Sequence, residues 1–209
     1  MMKIAIAIPA RLNSGRLKEK MLLKFDGKPL IQNVFEKVSK FGYDTFVLTD
    51  SDKIAKHIPS ENVIMTDEEE NGTARICRHK DEFFEYDYVI NVQGDMLDIT
   101  YETIEPIIKQ MGAHRNVITA YTKGYNPNGV KIIHQSGFAC WFTRSDIGYG
   151  DSHLGIYAYP WMFFDRYLSL TENYPNEDLE QNRILGSHFR IMAVEVKYNG
   201  KQINTEEDL

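Results

Sequence analysis

The chain begins with a run of small and branched apolar residues and then turns sharply polar. Residues 4–8 read Ile-Ala-Ile-Ala-Ile, which is typical of a short strand buried on both faces. The loop that follows, residues 9–20, carries two arginines, two lysines, a serine and a glycine. This pattern predicts a buried strand that ends in a basic loop.

Segments with helical periodicity then alternate with further short apolar runs. Apolar residues repeat at helical spacing over 30–41, beginning beside Pro29 and stopping at Gly42. The same reasoning predicts helices around 76–84 and 101–111, and strands at 45–49, 88–92 and 117–121. Strand–helix–strand repetition of this kind predicts an α/β fold with a mostly parallel, helix-covered sheet.

Beyond residue 123 the pattern becomes richer in strands. Residues 131–133 and 138–142 predict a hairpin around Gln135-Ser136-Gly137, followed by a strand at 156–159 and a helix at 178–185. We therefore expect one domain, 1–209. It would combine a Rossmann-like lobe, 1–122, with an inserted β-rich lobe, 123–209, and an active cleft between them.

Composition and charge narrow the classes of partner. The 209 residues carry a formal charge of −6, which argues against nucleic acid as a ligand. The N-terminal apolar run is too short for a signal peptide or a membrane span, so no membrane partner is expected. Cys77 and Cys140 lack the spacing of a metal site, which favours free thiols in a reducing cytoplasm.

The basic loop after the first strand is the first candidate binding element. Within residues 11–28 lysines and arginines outnumber acids, although the whole chain is acidic. Arginine offers bidentate contacts to phosphate oxygens and lysine a compact charge, so their mixture suits a triphosphate. The alternative is a basic loop that is merely solvated. The acidic run 67–70 is expected to form a mobile, solvated loop.

A second candidate element is Asn91-Val92-Gln93-Gly94-Asp95, at the end of a predicted strand. Its carboxylate would face the same edge of the sheet as the basic loop, where ligands bind in open α/β sheets. Mg²⁺ is commonly held by one or two carboxylates plus substrate phosphates, so Asp95 is a candidate ligand. The alternative is a turn aspartate that caps the next helix. The sequence contains no P-loop, dinucleotide-binding or zinc-protease motif.

Several longer motifs point to one family. Residues 9–20 match Pro-Ala-Arg-x-x-Ser-x-Arg-Leu-x-x-Lys, and the other matching segments are Gly27-Lys28-Pro29, Thr49-Asp50, Gly72-Thr73-Ala74-Arg75, Asn91-Val92-Gln93-Gly94-Asp95, Asn126-Pro127-Asn128-Gly129-Val130-Lys131, Phe142-Thr143-Arg144, His153-Leu154-Gly155-Ile156-Tyr157 and Leu179-Glu180-Gln181-Asn182-Arg183. Over nearly its whole length the chain resembles the 3-deoxy-manno-octulosonate (KDO) cytidylyltransferases. The second-half motifs are the ones most particular to that family.

This resemblance implies an Mg²⁺-dependent transfer of CMP from CTP to the anomeric hydroxyl of KDO, giving CMP-KDO and diphosphate, by a homodimer. Its implied catalytic residues are Arg11, Arg16, Lys20 and Asp95, with Asp95 and Asn204 at the metal. The residues it assigns to CTP are Pro9, Ala10, Arg11, Ser14, Arg16, Lys20, Asn71, Gly72, Thr73, Arg75 and Gln93. Those it assigns to the sugar acid are Gln93, Arg144, His153, Tyr157, Glu177 and Gln181.

Two departures from the family pattern keep alternatives open. Asn204 stands where the family has a metal-binding aspartate, and the segment between Arg144 and His153 is shorter than usual. The enzyme could therefore act on a related or amino-substituted ulosonic acid, or be a homologue that binds CTP and sugar without turnover. From the residues alone, His153 and Tyr157 could also be core residues, and Glu177 and Gln181 a solvated helix face.

Overall fold

A computed structural model describes residues 2–12, 17, 19–112, 115–170, 179–186 and 189–200. The strands are β1 Ile4–Ala10, β2 Lys24–Phe25, β3 Lys28–Pro29, β4 Asp44–Thr49, β5 Val63–Met65, β6 Tyr88–Asn91, β7 Val117–Thr122, β8 Lys131–Gln135, β9 Phe138–Thr143, β10 Asp151–Pro160 and β11 Ile191–Glu195. The helices are α1 Leu30–Val38, α2 Asp52–Ala55, α3 Gly72–Arg78, α4 Tyr101–Lys109, α5 Phe163–Leu168 and α6 Glu180–Gly186.

Nine of these strands form one mixed sheet in the order β5-β4-β1-β6-β10-β7-β11-β9-β8. On one side β5, β4, β1 and β6 run parallel, as the alternating pattern of the first half predicts. On the other side β10 runs antiparallel to both of its neighbours β6 and β7, while β11 runs parallel to β7. The predicted α/β class is confirmed, but the sheet is mixed rather than mostly parallel, because β10 and the hairpin β8–β9 pair antiparallel with their neighbours.

The position of β1 explains its uninterrupted apolar sequence. It is hydrogen-bonded on both edges, to β4 and β6, and both of its faces are covered. Ile4, Ile6 and Ile8 pack on the face shared with α1 and α4, whereas Ala5 and Ala7 pack on the face shared with α3 and α5. A strand alternates its side chains between two faces, so the large and small residues separate by face.

The helix boundaries agree with the sequence at α1 and differ at α3. After α1 the chain continues as a 3-10 turn and reverses at Gly42, whose φ is +83°, a conformation that suits glycine. The single helix expected around 76–84 is instead α3 followed by a 3-10 turn, Lys80–Phe83. The break between the two falls at His79. Its side-chain Nδ1 lies 2.9 Å from the Arg75 carbonyl oxygen, which the backbone amide of residue 79 would bind in a continuous α-helix.

The predicted hairpin forms as β8 and β9, with Ser136 and Gly137 at positive φ in its turn. It continues the same sheet through pairings with β10 and β11. The separation of the chain into two lobes at residue 122 stays a prediction. No helix in the described ranges is long and apolar enough to cross a bilayer.

Candidate active site

A cleft of about 360 Å³ opens at the carboxyl ends of β1 and β6. The ends of parallel strands meet at one edge of a sheet, which is where this class of fold places its ligands. The end of β9 and the start of α6 complete its wall. The predicted residues that line it are Pro9, Ala10, Arg11, Lys20, Asn71, Gly72, Arg75, Gln93, Asp95, Arg144 and Gln181.

The floor of the cleft carries a largely buried ion pair. Lys20 Nζ donates to Asp95 Oδ2, and both side chains are at least 85 % shielded from solvent. The second carboxylate oxygen, Asp95 Oδ1, is buried without a hydrogen-bond partner among the described residues. A buried carboxylate oxygen without a partner is costly, so this atom is available to a ligand or a cation.

Close packing explains the glycine that precedes Asp95. A Cβ placed on Gly94 would lie 2.9 Å from Met21 Sδ and 3.2 Å from Ile31 Cδ1. Any larger residue would therefore push the strand end away from the 3-10 turn Lys20–Leu22. Gly94 lets Asp95 approach Lys20.

The start of α3 forms a second wall. Asn71 caps the helix, with its Oδ1 accepting from the Ala74 amide at 2.8 Å. A Cβ on Gly72 would lie 3.0 Å from Pro9 Cγ, so this turn packs directly on the end of β1. Thr73 points inward, where its hydroxyl lies 2.6 Å from the Tyr159 hydroxyl, and it does not line the cleft.

Arg75 borders the cleft but its guanidinium is already engaged. One terminal nitrogen pairs with Asp50 Oδ2 at 2.8 Å, and the other donates to Thr66 Oγ1 and to the Asp67 carbonyl oxygen. The residue is buried. In this structure Arg75 ties α3 to β4 and to the loop before α3.

The acidic run is mostly exposed, as the sequence predicted, and two of its acids form ion pairs. Glu69 pairs with Arg78 at 2.7 Å and Glu70 pairs with Arg183 at 3.1 Å. Both acids line the cleft. Arg78 lies close to Glu69 in the sequence, whereas the fold brings Arg183 to Glu70 from a distant part of the chain.

The opposite wall is built on an irregular segment of β10. The register of β10 against β7 shifts between His153 and Tyr157, and Gly155 between them has a φ of +73°. Such bulges re-aim side chains near functional sites. Here the Gly155 carbonyl oxygen accepts from Gln93 Nε2 at 2.7 Å.

His153 and Tyr157 lie behind the lining residues. His153 contacts Thr119 and Gln181, and its ring packs edge-on against Phe142. His153 as a residue is half-buried, but its imidazole is densely surrounded, and this desolvation, with the charge of Arg144, lowers the pKa of His153 from 6.5 to about 3. The imidazole is therefore neutral at physiological pH.

Tyr157 is buried, so the alternative of a core aromatic holds for its ring. Burial, and secondarily the charge of Glu180, raises the pKa of the Tyr157 and Tyr159 phenols well above their usual range. Glu180 lines the cleft although it was not among the predicted site residues. Glu180 could have been identified from the sequence, because it directly precedes Gln181 in one of the segments that match the family.

Lys131 is a second residue that sequence reasoning missed. It is fully buried, and its ammonium donates to the carbonyl oxygens of Pro127, Gly129 and Arg144 at 3.0, 2.8 and 2.8 Å. An ammonium has three donors, and all three are used. Lys131 thereby fastens the turn before β8 to the backbone of Arg144. The remaining predicted residues, Ser14, Arg16, Glu177 and Asn204, lie outside the described ranges.

Comparison with known proteins places these features in context. The family model described as cytidylyltransferase matches residues 5–193. The 3-deoxy-manno-octulosonate cytidylyltransferase of Francisella tularensis is 36% identical, covering 100% of this chain and 96% of its own. The enzyme named 3-deoxy-manno-octulosonate cytidylyltransferase 2 of Hydrogenovibrio crunogenus is 34% identical with the same coverage. The Francisella alignment spans 244 positions against 209 residues here, so that enzyme carries internal residues that this chain lacks.

Solved structures agree with these sequence matches. The structure of CMP:2-keto-3-deoxy-manno-octonic acid synthetase complexed with CTP superposes with a TM-score of 0.88 at 31% identity, covering 98% of this chain and 94% of that one. The inositol-1-phosphate CTP transferase of T. maritima superposes with a TM-score of 0.75 at 13% identity, covering 100% and 91% of the two chains. This second match shows the fold alone.

Proposed function

The chain belongs to the cytidylyltransferase family and is a nucleotidyltransferase enzyme, and from this we propose that it transfers CMP from CTP to the anomeric hydroxyl of KDO. The observation that carries the proposal is the composition of the cleft at the carboxyl ends of β1 and β6. Cations and a buried carboxylate line one wall, while amide side chains and Arg144 line the other. A nucleoside triphosphate and a hydroxyl-rich acid need these two chemistries side by side.

In the proposed reaction the anomeric oxygen of the sugar attacks the α-phosphorus of CTP in line. A P–O bond forms, the bond from the α-phosphorus to the bridging oxygen breaks, diphosphate leaves, and the hydroxyl proton is lost to solvent. Such transfers depend on positioning and on charge stabilisation more than on covalent chemistry by the protein. Arg11 and Lys20 supply positive charge for the triphosphate, and Arg16 and Ser14 are proposed to add to it from the same loop.

The cytosine ring is proposed to lie against the end of β1 and the start of α3. Pro9, Ala10, Asn71 and Gly72 all line this part of the cleft. The close approach of Gly72 to Pro9 leaves backbone groups, rather than side chains, near the base. Thr73 and Arg75 contribute indirectly, since one is buried against Tyr159 and the other holds the preceding loop.

The residues present fit a magnesium ion. Asp95 Oδ1 is a buried carboxylate oxygen without a partner among the described residues, and hard cations prefer such ligands. Asp95 is proposed to hold Mg²⁺, with Asn204 as second ligand. When bound, the ion would neutralise phosphate charge. No cluster of three histidine, cysteine or acidic residues occurs in the described ranges, which suits an ion held partly by substrate.

The sugar acid is proposed to bind against β10, α6 and the end of β9. Arg144 would pair with its carboxylate, and Gln93 and Gln181 would meet its hydroxyls. Glu180 lies on the same wall, and Glu177 is proposed to join it. His153 and Tyr157 support this wall from behind.

Diphosphate release tests the function directly. The purified protein is assayed with CTP, Mg²⁺ and a panel that includes KDO, an amino-substituted KDO and a nonulosonic acid. We expect the highest kcat/KM with KDO and CTP, and little release with UTP. The Lys20→Met variant should lose most activity, while Lys24→Met, an exposed lysine outside the cleft, should not.

Two other outcomes remain distinguishable. A higher kcat/KM with another ulosonic acid would favour the alternative substrate. The observation that motivates this alternative is that the chain lacks internal residues that the Francisella enzyme has. CTP binding without turnover of any acid would favour a binding protein.

We also propose that the enzyme is a cytoplasmic homodimer. Cys77 and Cys140 are both free thiols, as expected in a reducing compartment. Light scattering on the purified protein measures the oligomeric state, and a monomeric mass at micromolar concentration would contradict the dimer.

A further inference from the structure

A chain of hydrogen bonds runs from the backbone of β10 to the wall of the cleft. Thr119 Oγ1 lies 2.8 Å from the Ile156 carbonyl oxygen and 2.9 Å from His153 Nε2. On the other side of the ring, His153 Nδ1 lies 3.5 Å from Gln181 Nε2. Thr119 is completely buried on β7, and it does not line the cleft.

The positions of the protons in this chain follow from the donors available. The Ile156 carbonyl oxygen can only accept, so the single hydroxyl proton of Thr119 must lie between these two oxygens. Thr119 Oγ1 then accepts from His153, which places the imidazole proton on Nε2. A neutral imidazole carries one proton, so Nδ1 is left as an acceptor.

This tautomer favours one orientation of the Gln181 amide, whose side chain also interacts with the Tyr157 phenol. An acceptor at Nδ1 attracts the amide NH₂ group and repels the amide oxygen, so Nε2 turns toward His153. The oxygen, Gln181 Oε1, is buried and has no hydrogen-bond partner among the described residues. It is the end of the amide left for a ligand of the cleft that Gln181 lines.

Gln93 is also held through the nitrogen end of its amide. Its Nε2 donates to the Gly155 carbonyl oxygen, so its amide oxygen is also turned away from β10. His153 and Gly155 lie two residues apart within the irregular segment of β10. The two glutamines on this wall are thus oriented by one strand, each through its nitrogen end.

We propose that Thr119 is a positioning residue for the sugar acid, because it fixes the His153 tautomer and thereby makes Gln181 an acceptor for a substrate hydroxyl. The identity of the substrate in this proposal rests on the proposed function. The Nε2–H tautomer of His153 does not depend on what the enzyme binds.

The tautomer is measured first, in the wild-type protein without substrate. Two-bond ¹H–¹⁵N correlation spectra of ¹⁵N-labelled protein show which imidazole nitrogen carries the proton, and the His153→Gln variant assigns the signal. We expect an Nε2–H signal for His153 at pH 7. An Nδ1–H signal would overturn the proposal whatever the enzyme's substrate is.

The second experiment measures substrate dependence in Thr119→Val, a change that keeps the shape and removes the hydroxyl. We expect KM for the sugar acid to rise about tenfold, the effect of one hydrogen bond, with KM for CTP unchanged. Thr119→Ser should restore the wild-type value. The matched control is Thr45→Val, another buried strand threonine, whose hydroxyl donates to the Tyr43 carbonyl oxygen at 3.0 Å.

The outcomes separate this proposal from the proposed function. Equal increases in both KM values, or no rescue by serine, would show a structural role only and would overturn the proposal. If Thr119→Val does not fold, wild-type-like kinetics of Thr119→Ser together with the Nε2–H signal support it, and a raised sugar-acid KM in Thr119→Ser contradicts it. If the wild type turns over no ulosonic acid, the proposed function fails while the tautomer measurement still stands.

Discussion

The two walls of the cleft hold their polar groups by different means. On the wall built from β1, β6 and α3, charges are held by opposite charges, as in Lys20 with Asp95 and Arg75 with Asp50. On the opposite side two neutral amides, Gln93, which follows β6 and reaches across to β10, and Gln181 on α6, contact the Gly155 carbonyl oxygen and the neutral His153 imidazole. Even the buried cation near this wall, Lys131, is held by carbonyl oxygens.

This difference matches the two proposed ligands. A triphosphate is bound through its charge, and paired charges can exchange partners when it arrives. A sugar acid is distinguished by the directions of its hydroxyls, which requires amides with a fixed orientation. Charge pairing therefore dominates one wall, while the other combines the charges of Arg144 and Glu180 with the hydrogen-bond direction of the amides.

The largest expected effect is on the charged wall. Asp95→Asn keeps the shape but removes the negative charge that faces Lys20 and the proposed cation. We expect kcat/KM to fall about a thousandfold, because a positioned charge at the reacting phosphate contributes several kcal/mol. Steady-state diphosphate release measures this, with the exposed Asp81→Asn as control. Near-normal activity of Asp95→Asn would remove Asp95 from the metal site.

The next effect concerns the buried cation that supports the other wall. Lys131→Met leaves three carbonyl oxygens without their donors, and each such loss is costly in the interior. We expect the free energy of unfolding to fall by about 3 kcal/mol, measured by urea denaturation. The exposed Lys123→Met should stay within about 0.5 kcal/mol of wild type. Equal stability of the two variants would show that the ammonium does not secure this turn.

A smaller effect is expected for Arg144→Lys. Lysine keeps the charge but loses the planar bidentate geometry that suits a carboxylate, so KM for the sugar acid should rise about tenfold. KM for CTP should not change. Arg166→Lys, an exposed arginine on α5, is the control. A rise in KM for CTP alone would move Arg144 to the charged wall.

The smallest effect is a pH dependence of stability. Below pH 6.5 an unfolded histidine takes up a proton, whereas the folded His153, with a pKa of about 3, does not. The folded state therefore loses stability as the pH falls from 6.5 toward 3. Because the residue is only half-buried, we expect His153 to contribute only about 1 kcal/mol of this loss at pH 5.

Urea denaturation at pH 7 and pH 5 measures that contribution. His153→Gln should lose less stability between the two pH values than wild type, whereas His57→Gln, outside the cleft, should keep the wild-type slope. Identical slopes in all three proteins would show that His153 titrates normally.

Much of the charged wall was predictable because its chemistry is local in sequence. β1 and its loop, and β6 and Asp95, are each continuous segments whose ends must meet if the strands run parallel. The wall of amides was less predictable. The roles of Thr119, His153 and Gln181 depend on a shifted register in β10 and on residues that lie far apart in the chain.

The strand topology shows the same limit. β11, whose first four residues are an apolar run, was not among the predicted strands, and nothing in that run specifies its place between β7 and β9. The pairing of Glu70 with Arg183 likewise depends on the fold, because the two residues lie far apart in the chain.

The sequence by itself predicted the fold class and the edge of the sheet at which the cleft lies, and its resemblance to a family named most of the residues that line this cleft. Apolar periodicity and strand-end motifs are properties of short segments, so they survive without knowledge of the fold. Only the tertiary structure decided which polar groups are already engaged and which ends of them face the cleft. The orientation of each polar group depends on hydrogen-bond partners that distant strands supply. Residue type alone does not specify the direction of a hydrogen bond.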